Sequence, residues 1–153
     1  MNKKLLFLSL ALLIFIVISC GRQKSIKNKM DDKYTVCYTA IYNTDTAWLK
    51  IDTANQHILG ELNFNYRNEK HYVGLVKAEM KGDTLRGNYS FKLNGVDKWY
   101  KNPIALLKKD NTFTMGIGEV YTLWGSGYFH KEYPIDYSKS RFVFEQVGCE
   151  IQL

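Results

Sequence analysis

Between residues 57 and 93 the chain alternates apolar and polar side chains with a period of two. In 84–93, Leu85, Gly87, Tyr89, Phe91 and Leu93 point one way, and Arg86, Asn88, Ser90 and Lys92 the other. Residues 57–67 repeat this, with Ile58, Gly60, Leu62, Phe64 and Tyr66 set against Glu61, Asn63, Asn65 and Arg67. In 71–81 the apolar side carries Tyr72, Gly74, Val76, Ala78 and Met80. Further on, Phe113, Met115 and Ile117 share a face with an acid, Glu119, and Phe142 alternates with Phe144. A period of two is the mark of strands with one buried face.

Turn signals separate these runs: Asn43-Thr44-Asp45, Thr53-Ala54-Asn55, Lys81-Gly82-Asp83, Asn94-Gly95 and Lys109-Asp110-Asn111. The pattern predicts about eight strands, near 34–42, 46–52, 57–66, 71–80, 84–93, 98–108, 112–122 and 140–147. No stretch after Cys20 keeps a helical period. Short strands joined by brief turns imply a single antiparallel barrel, lipocalin-like, with a two-sheet sandwich as the alternative. Gly60, Gly74 and Gly87 fall on the apolar faces, where glycine marks a bend or the close approach of another backbone.

The start of the chain has a different pattern. Two lysines, Lys3 and Lys4, precede residues 5–18, which are apolar apart from Ser9. A spanning helix needs about 20 apolar residues, so this run is short for one. A basic start, a short apolar stretch and a small residue before a cut site compose a secretory signal. Its ending, Val17-Ile18-Ser19-Cys20, resembles the lipobox of bacterial lipoproteins. That resemblance implies cleavage before Cys20 and lipid on Cys20, which becomes the first residue of the mature chain. Several acyl chains on one residue hold a membrane stably, whereas one holds only marginally. Gly21 is not the aspartate that retains enteric lipoproteins in the inner membrane, and 21–25 carries no acid. The expected location is therefore the outer membrane, on its periplasmic face. The expected organisation is 1–19 signal peptide, 20–33 lipidated cysteine and flexible basic tether, and 34–153 barrel domain.

Charge sharpens this division. The chain is +6 overall. Lys3 and Lys4 fall in the signal, and residues 21–33 hold five basic and two acidic residues. That leaves 14 basic and 13 acidic residues for 34–153. The basic excess belongs to the ends of the chain and is not a nucleic-acid footprint.

The stretch "GLVKAEMKGDTLRGNYSFKLNG", with Cys37-Tyr38 before it and Cys149 after it, is similar to small uncharacterised lipoproteins of Bacteroidetes-type bacteria. The matching positions are Cys37-Tyr38, Gly74, Gly82-Asp83, Leu85, Tyr89, Phe91 and Cys149. The resemblance implies the fold and the location and brings no activity.

The chain has three cysteines. With Cys20 acylated, Cys37 and Cys149 remain in a compartment where disulfides persist. Cys37 lies in the first expected strand and Cys149 just past the last, and a closed barrel sets those strands side by side. A Cys37–Cys149 disulfide is expected, with two separate thiols as the alternative. No histidine is spaced near either cysteine for a metal site.

Residues for catalysis do not assemble. His57, His71 and His130 form no HExxH, and no G-x-S-x-G is present. The reading is non-enzymatic, with no catalytic residues, no metal and no cofactor. What stands out is aromatic content: beyond the signal remain 11 tyrosines, three tryptophans and six phenylalanines. Strand preference explains most of them. The segment "YTLWGSGYFHKEY", 121–133, is denser and reads as a mobile aromatic loop between strands. Trp124, Tyr128 and Phe129 are the candidate binding residues, with at least one of them expected to be partly exposed near the barrel mouth. Glu119 is a further candidate: a paired carboxylate in the barrel interior, a ligand contact, or an acid turned to solvent at a strand end or bulge.

The functional expectation is a binding module anchored in the membrane through lipid on Cys20. Its partner is a small apolar ligand inside the barrel, or an envelope protein or glycan at the aromatic segment. The alternatives are a structural or assembly lipoprotein with a filled barrel, and an inhibitor of a cell-wall hydrolase. The last draws only on Gly125-Ser126-Gly127.

Overall fold

The computed structural model describes residue 30 and residues 32–67 and 70–150. Cys20 and the apolar run before it lie outside these residues. A short 3-10 turn, Asp32–Tyr34, leads into ten strands among the described residues. They are β1 Thr35–Tyr42, β2 Asp45–Asp52, β3 His57–Tyr66, β4 Lys70–Lys81, β5 Thr84–Leu93, β6 Tyr100–Lys109, β7 Thr112–Met115, β8 Val120–Leu123, β9 Ser126–Phe129 and β10 Val143–Val147. There is no α-helix among the described residues.

Strands β1 to β7 pair in sequence, β5 pairs with β6, and β10 closes the ring between β7 and β1. The result is a closed eight-stranded antiparallel barrel with β8 and β9 outside it. The barrel expectation holds, and the sandwich does not. The connections lie where the turn residues put them, with Asn43, Asn94, Asp110, Gly82 and Gly95 at positive φ. The start of β1 and the β2–β3, β4–β5 and β6–β7 turns share one end of the barrel. The β1–β2, β3–β4 and β5–β6 connections share the other.

The alternation in the sequence becomes the interior. Leu49, Ile51, Leu62, Val76, Leu85, Ile104, Leu106, Phe113 and Phe144 are buried there, and burying each such side chain contributes about 1.5–3 kcal/mol. Rings fill the space between them. Phe142 lies 5.2 Å from Phe64, Phe64 lies 5.9 Å from Tyr89, and Tyr89 stacks on Phe91 at 4.9 Å. Gly60, Gly74 and Gly87 sit opposite Ile51, Phe91 and Ala78. A Cβ on Gly60 would stand 2.6 Å from the Lys50 carbonyl oxygen, and one on Gly74 would collide with that of Ser90. The neighbouring backbone occupies the side-chain space, as strong coiling of a small barrel requires.

Cys37 and Cys149 form the disulfide, with Cα atoms 5.1 Å apart. Val36 and Tyr38 face the interior, so Cys37 faces outward, and the bridge lies on the outer wall beside the β1–β10 seam. Cys37 is nevertheless fully buried.

One expected strand is corrected. The stretch 112–122 is not continuous: β7 ends at Met115, and the chain leaves the ring at Gly116. Gly116 still donates its N–H to the Ala105 carbonyl (2.8 Å), but Ile117 pairs with Asp136 instead of a ring strand. The cause is local. Ile135 and Tyr137 pack where a side chain at 116 would stand, so the returning segment takes the place of a continuing strand. The remaining differences are small. The last strand starts at Val143 and not at 140, and the sixth runs 100–109 and not 98–108, within the usual uncertainty of strand ends.

Candidate functional site

The excursion between β7 and β10 carries the unusual residues. β8 and β9 form a hairpin with Tyr121 opposite Tyr128 and Leu123 opposite Ser126. The expected loop at 124–129 is therefore a turn followed by a strand. The hairpin is held to the barrel by the parallel pair Lys101↔Ser126 and by Gly127, which is buried against Asn102 and Pro103. Since Lys101 is the second residue of β6, the hairpin tip lies at the end of the barrel opposite the start of β1.

Trp124 and Gly125 are the two turn residues, with φ 51° and 75°. A two-residue turn with positive φ at both positions suits Asn-Gly, and the chain places Asn94-Gly95 in this way elsewhere. A tryptophan at positive φ is an outlier, because its Cβ crowds the carbonyl oxygen, at about 1–2 kcal/mol. Trp124 gains no packing in return: it is 94% exposed.

The hairpin has two faces. Phe129, on the inner face, packs against Gly118 and is half-buried. On the outer face a strip of rings runs inward from the tip. Tyr128 lies 5.7 Å from Tyr121, Tyr121 lies 5.1 Å from His130, and His130 lies 5.4 Å from Tyr133. Tyr121, Tyr128 and Tyr133 are exposed, as are Val120 and Leu123. Among the described residues β8 pairs only with β9, which leaves its other edge open. Leu123↔Ser126 closes the turn and exchanges both backbone hydrogen bonds, so the next pair, Thr122↔Gly127, turns its N–H and C=O away from its partner. On β8 those groups face the open edge.

Behind the hairpin the chain returns along the outer wall of β5. Segment 129–137 and the side chains of Lys81, Thr84 and Arg86 enclose an open groove of about 680 Å³. Backbone bonds fix both ends of the segment. His130 donates its N–H to the Glu119 carbonyl (2.8 Å), and Ile117 and Asp136 exchange bonds of 2.9 and 2.7 Å. The Asp136 carboxylate accepts from the Ser138 hydroxyl (2.7 Å) and the Ser138 N–H (2.8 Å), which hold its carboxyl below the usual carboxylate range, with Lys139 nearby at 3.3 Å.

The expected site residues are thus partly brought together. Trp124, Tyr128 and Phe129 share the hairpin, the first two exposed and the third half-buried. Glu119 is exposed in the connection before β8; it does not face the barrel interior and does not line the groove. His57 pairs across strands with Glu79 (3.0 Å) on the surface. No group of three or more metal-ligating side chains occurs among the described residues. Lys81 and Arg86 were not expected at the site. Nothing in the sequence says that the β4–β5 wall meets residues 130–137. Comparison with protein-family models, curated proteins and solved structures found no match.

Proposed function

We propose that this chain is a non-enzymatic lipoprotein of the bacterial outer membrane, anchored through lipid on Cys20 and facing the periplasm. Its barrel presents the β8–β9 hairpin to an envelope protein. The anchoring part rests on the apolar run and on Val17-Ile18-Ser19-Cys20. The binding part rests on one observation above all: an indole that is 94% exposed and held at positive φ, at the tip of a strand with an open edge. Such strain without packing is of no use to folding, and it recurs at contact sites. The occupant that fits is an extended segment of a partner protein. It would add a strand along β8, hydrogen-bond to the outward groups of Thr122, and cover Tyr121, Leu123 and Trp124.

The packed ring system inside the barrel supports this reading over a small apolar ligand held in the interior. The same packing favours, as a second reading, a structural lipoprotein whose barrel is a solid core. The hydrolase-inhibitor reading gains no support, because Gly127 is buried against β6 and is not presented as a loop.

A photo-crosslinking residue at Leu123 of the full-length protein, in intact envelopes, tests the proposal. One discrete protein adduct is expected. It should disappear in Thr122→Pro, which removes the outward N–H, while the melting temperature of the barrel stays unchanged. No adduct, or an adduct that persists in Thr122→Pro, sinks the docking reading.

A further inference from the structure

The groove behind the hairpin has chemistry that the docking edge does not use. Lys81, Arg86 and Lys131 converge on it, and none makes an ion pair with a carboxylate among the described residues. Glu79 stands across from Arg86 in the strand register, yet its carboxylate is engaged by His57. Among the described residues Glu132 is the one acid that lines the groove. Residues 34–153 hold 14 basic and 13 acidic residues, so three unpaired cations around one groove are a local concentration.

The groove also carries exposed ring faces. Tyr133 is 49% exposed and meets His130 edge to face, at 71°. His130 meets Tyr121 at 64°. Rings at such angles do not make the parallel slot that grips a planar base. Tyr133, the exposed ring in the groove's lining, instead has aromatic area that suits the C–H face of a pyranose ring. Phenol and guanidinium donors beside such faces match hydroxyl and carboxylate acceptors. The backbone bonds at Glu119, Ile117 and Asp136, and the fixed φ at Pro134, hold the segment in place before any ligand arrives. A preformed groove spares the ligand the cost of ordering a loop.

We infer that the groove between β5 and segment 129–137 binds an acidic saccharide, with Arg86, Lys81 and Lys131 taking its carboxylates and Tyr133 stacking on a sugar ring. This site is separate from the β8 edge and does not depend on Trp124.

The test is calorimetric titration of the full-length protein in detergent with trigalacturonate. Maltotriose, hexaglutamate and inorganic phosphate are titrated in parallel. Saturable binding of trigalacturonate is expected, with maltotriose, hexaglutamate and phosphate at least tenfold weaker. Arg86→Gln and Tyr133→Ala should each weaken it at least tenfold. Both positions are exposed, so the fold should survive, and Lys81→Gln gives a further check with a smaller loss of about threefold. Trp124→Asn should bind trigalacturonate as the wild type does, so failure of the groove and failure of the docking edge are told apart. Absence of saturable binding, or binding unchanged by Arg86→Gln or Tyr133→Ala, overturns the inference. Equal affinity for hexaglutamate or phosphate overturns the saccharide assignment, since charge alone would then account for binding.

Discussion

Trp124 and Gly125 occupy the two central positions of the β8–β9 turn, both at positive φ, and only the glycine is suited to it. At the other positive-φ positions outside glycine the chain uses Asn43, Asn94 and Asp110, whose short polar side chains tolerate that backbone. Folding alone would select asparagine at 124.

Trp124→Asn should therefore stabilise the protein, by about 1 kcal/mol. In denaturant unfolding the midpoint should rise with no change in slope. The same variant should lose the crosslinked adduct at Leu123. A variant that is destabilised by more than about 1 kcal/mol would place the indole in the fold's own packing and remove the case for a contact role.

Tyr89 gives a second prediction. Its ring packs between Phe64 and Phe91, while its hydroxyl is buried with no hydrogen-bond partner among the described residues. Burial pushes the phenol well above its usual range, with the neighbouring Tyr66 and Tyr72 adding to the effect. The group is neutral at any physiological pH, and its donor is unused. A buried unsatisfied polar group costs about 1–3 kcal/mol. Tyr89→Phe should thus leave stability unchanged or raise it by about 1 kcal/mol, read from the unfolding midpoint. A loss of about 2 kcal/mol or more would mean that the hydroxyl has a partner in solution.

Much of this fold was legible in the sequence. The alternation through 57–93 identified three strands and their inner faces, because period two is diagnostic wherever one face is buried. The two outer-wall cysteines were legible because closure sets the first and last strands side by side. The failure came at Gly116, where alternation continued across a break. Phe113 and Met115 face the core, but Ile117 is 45% exposed and belongs to the excursion. Periodicity carries no record of which neighbour a strand pairs with. The missed signal was the pair Gly116 and Gly118, which make room for Tyr137, Ile135 and Phe129. The hairpin was hidden for another reason: its turn has Trp where turn chemistry calls for Asn. The groove was illegible altogether, because Lys81 and Arg86 lie more than forty residues from Lys131 in the chain.

The disulfide closes a sequence separation of 112 residues. In the chain-entropy account a loop of this length is stabilised by about 4–5 kcal/mol, and measured values run from about 2 to 5. The Cys37→Ala, Cys149→Ala double variant should lose that amount in denaturant unfolding. Mass spectrometry of the unreduced protein should show one linked peptide pair. Two free thiols in the unreduced protein would contradict the bridge.

Cys20→Ala should abolish labelling with a palmitate analogue and leave protein that is uncut or released from the membrane. Continued labelling, with fractionation in the outer membrane, would rule out Cys20 as the anchor.

The bridge between Cys37 and Cys149 has a mechanical consequence. Strand β1 is stitched to β10 by only three register pairs, Cys37↔Val147, Tyr38↔Gln146 and Thr39↔Glu145. A pull on the chain ahead of Thr35 would load that short seam first and unzip it from its end. The covalent link joins Cys37, two residues into β1 and in the seam's first pair, to Cys149, two residues past the Val147 that faces it. Tension entering from the N-terminal side is therefore passed across to β10 before the seam can peel, and the two strands bear it together. A protein domain hung from a surface by its N-terminus thus gains a tear-stop at the point where the strap meets the load.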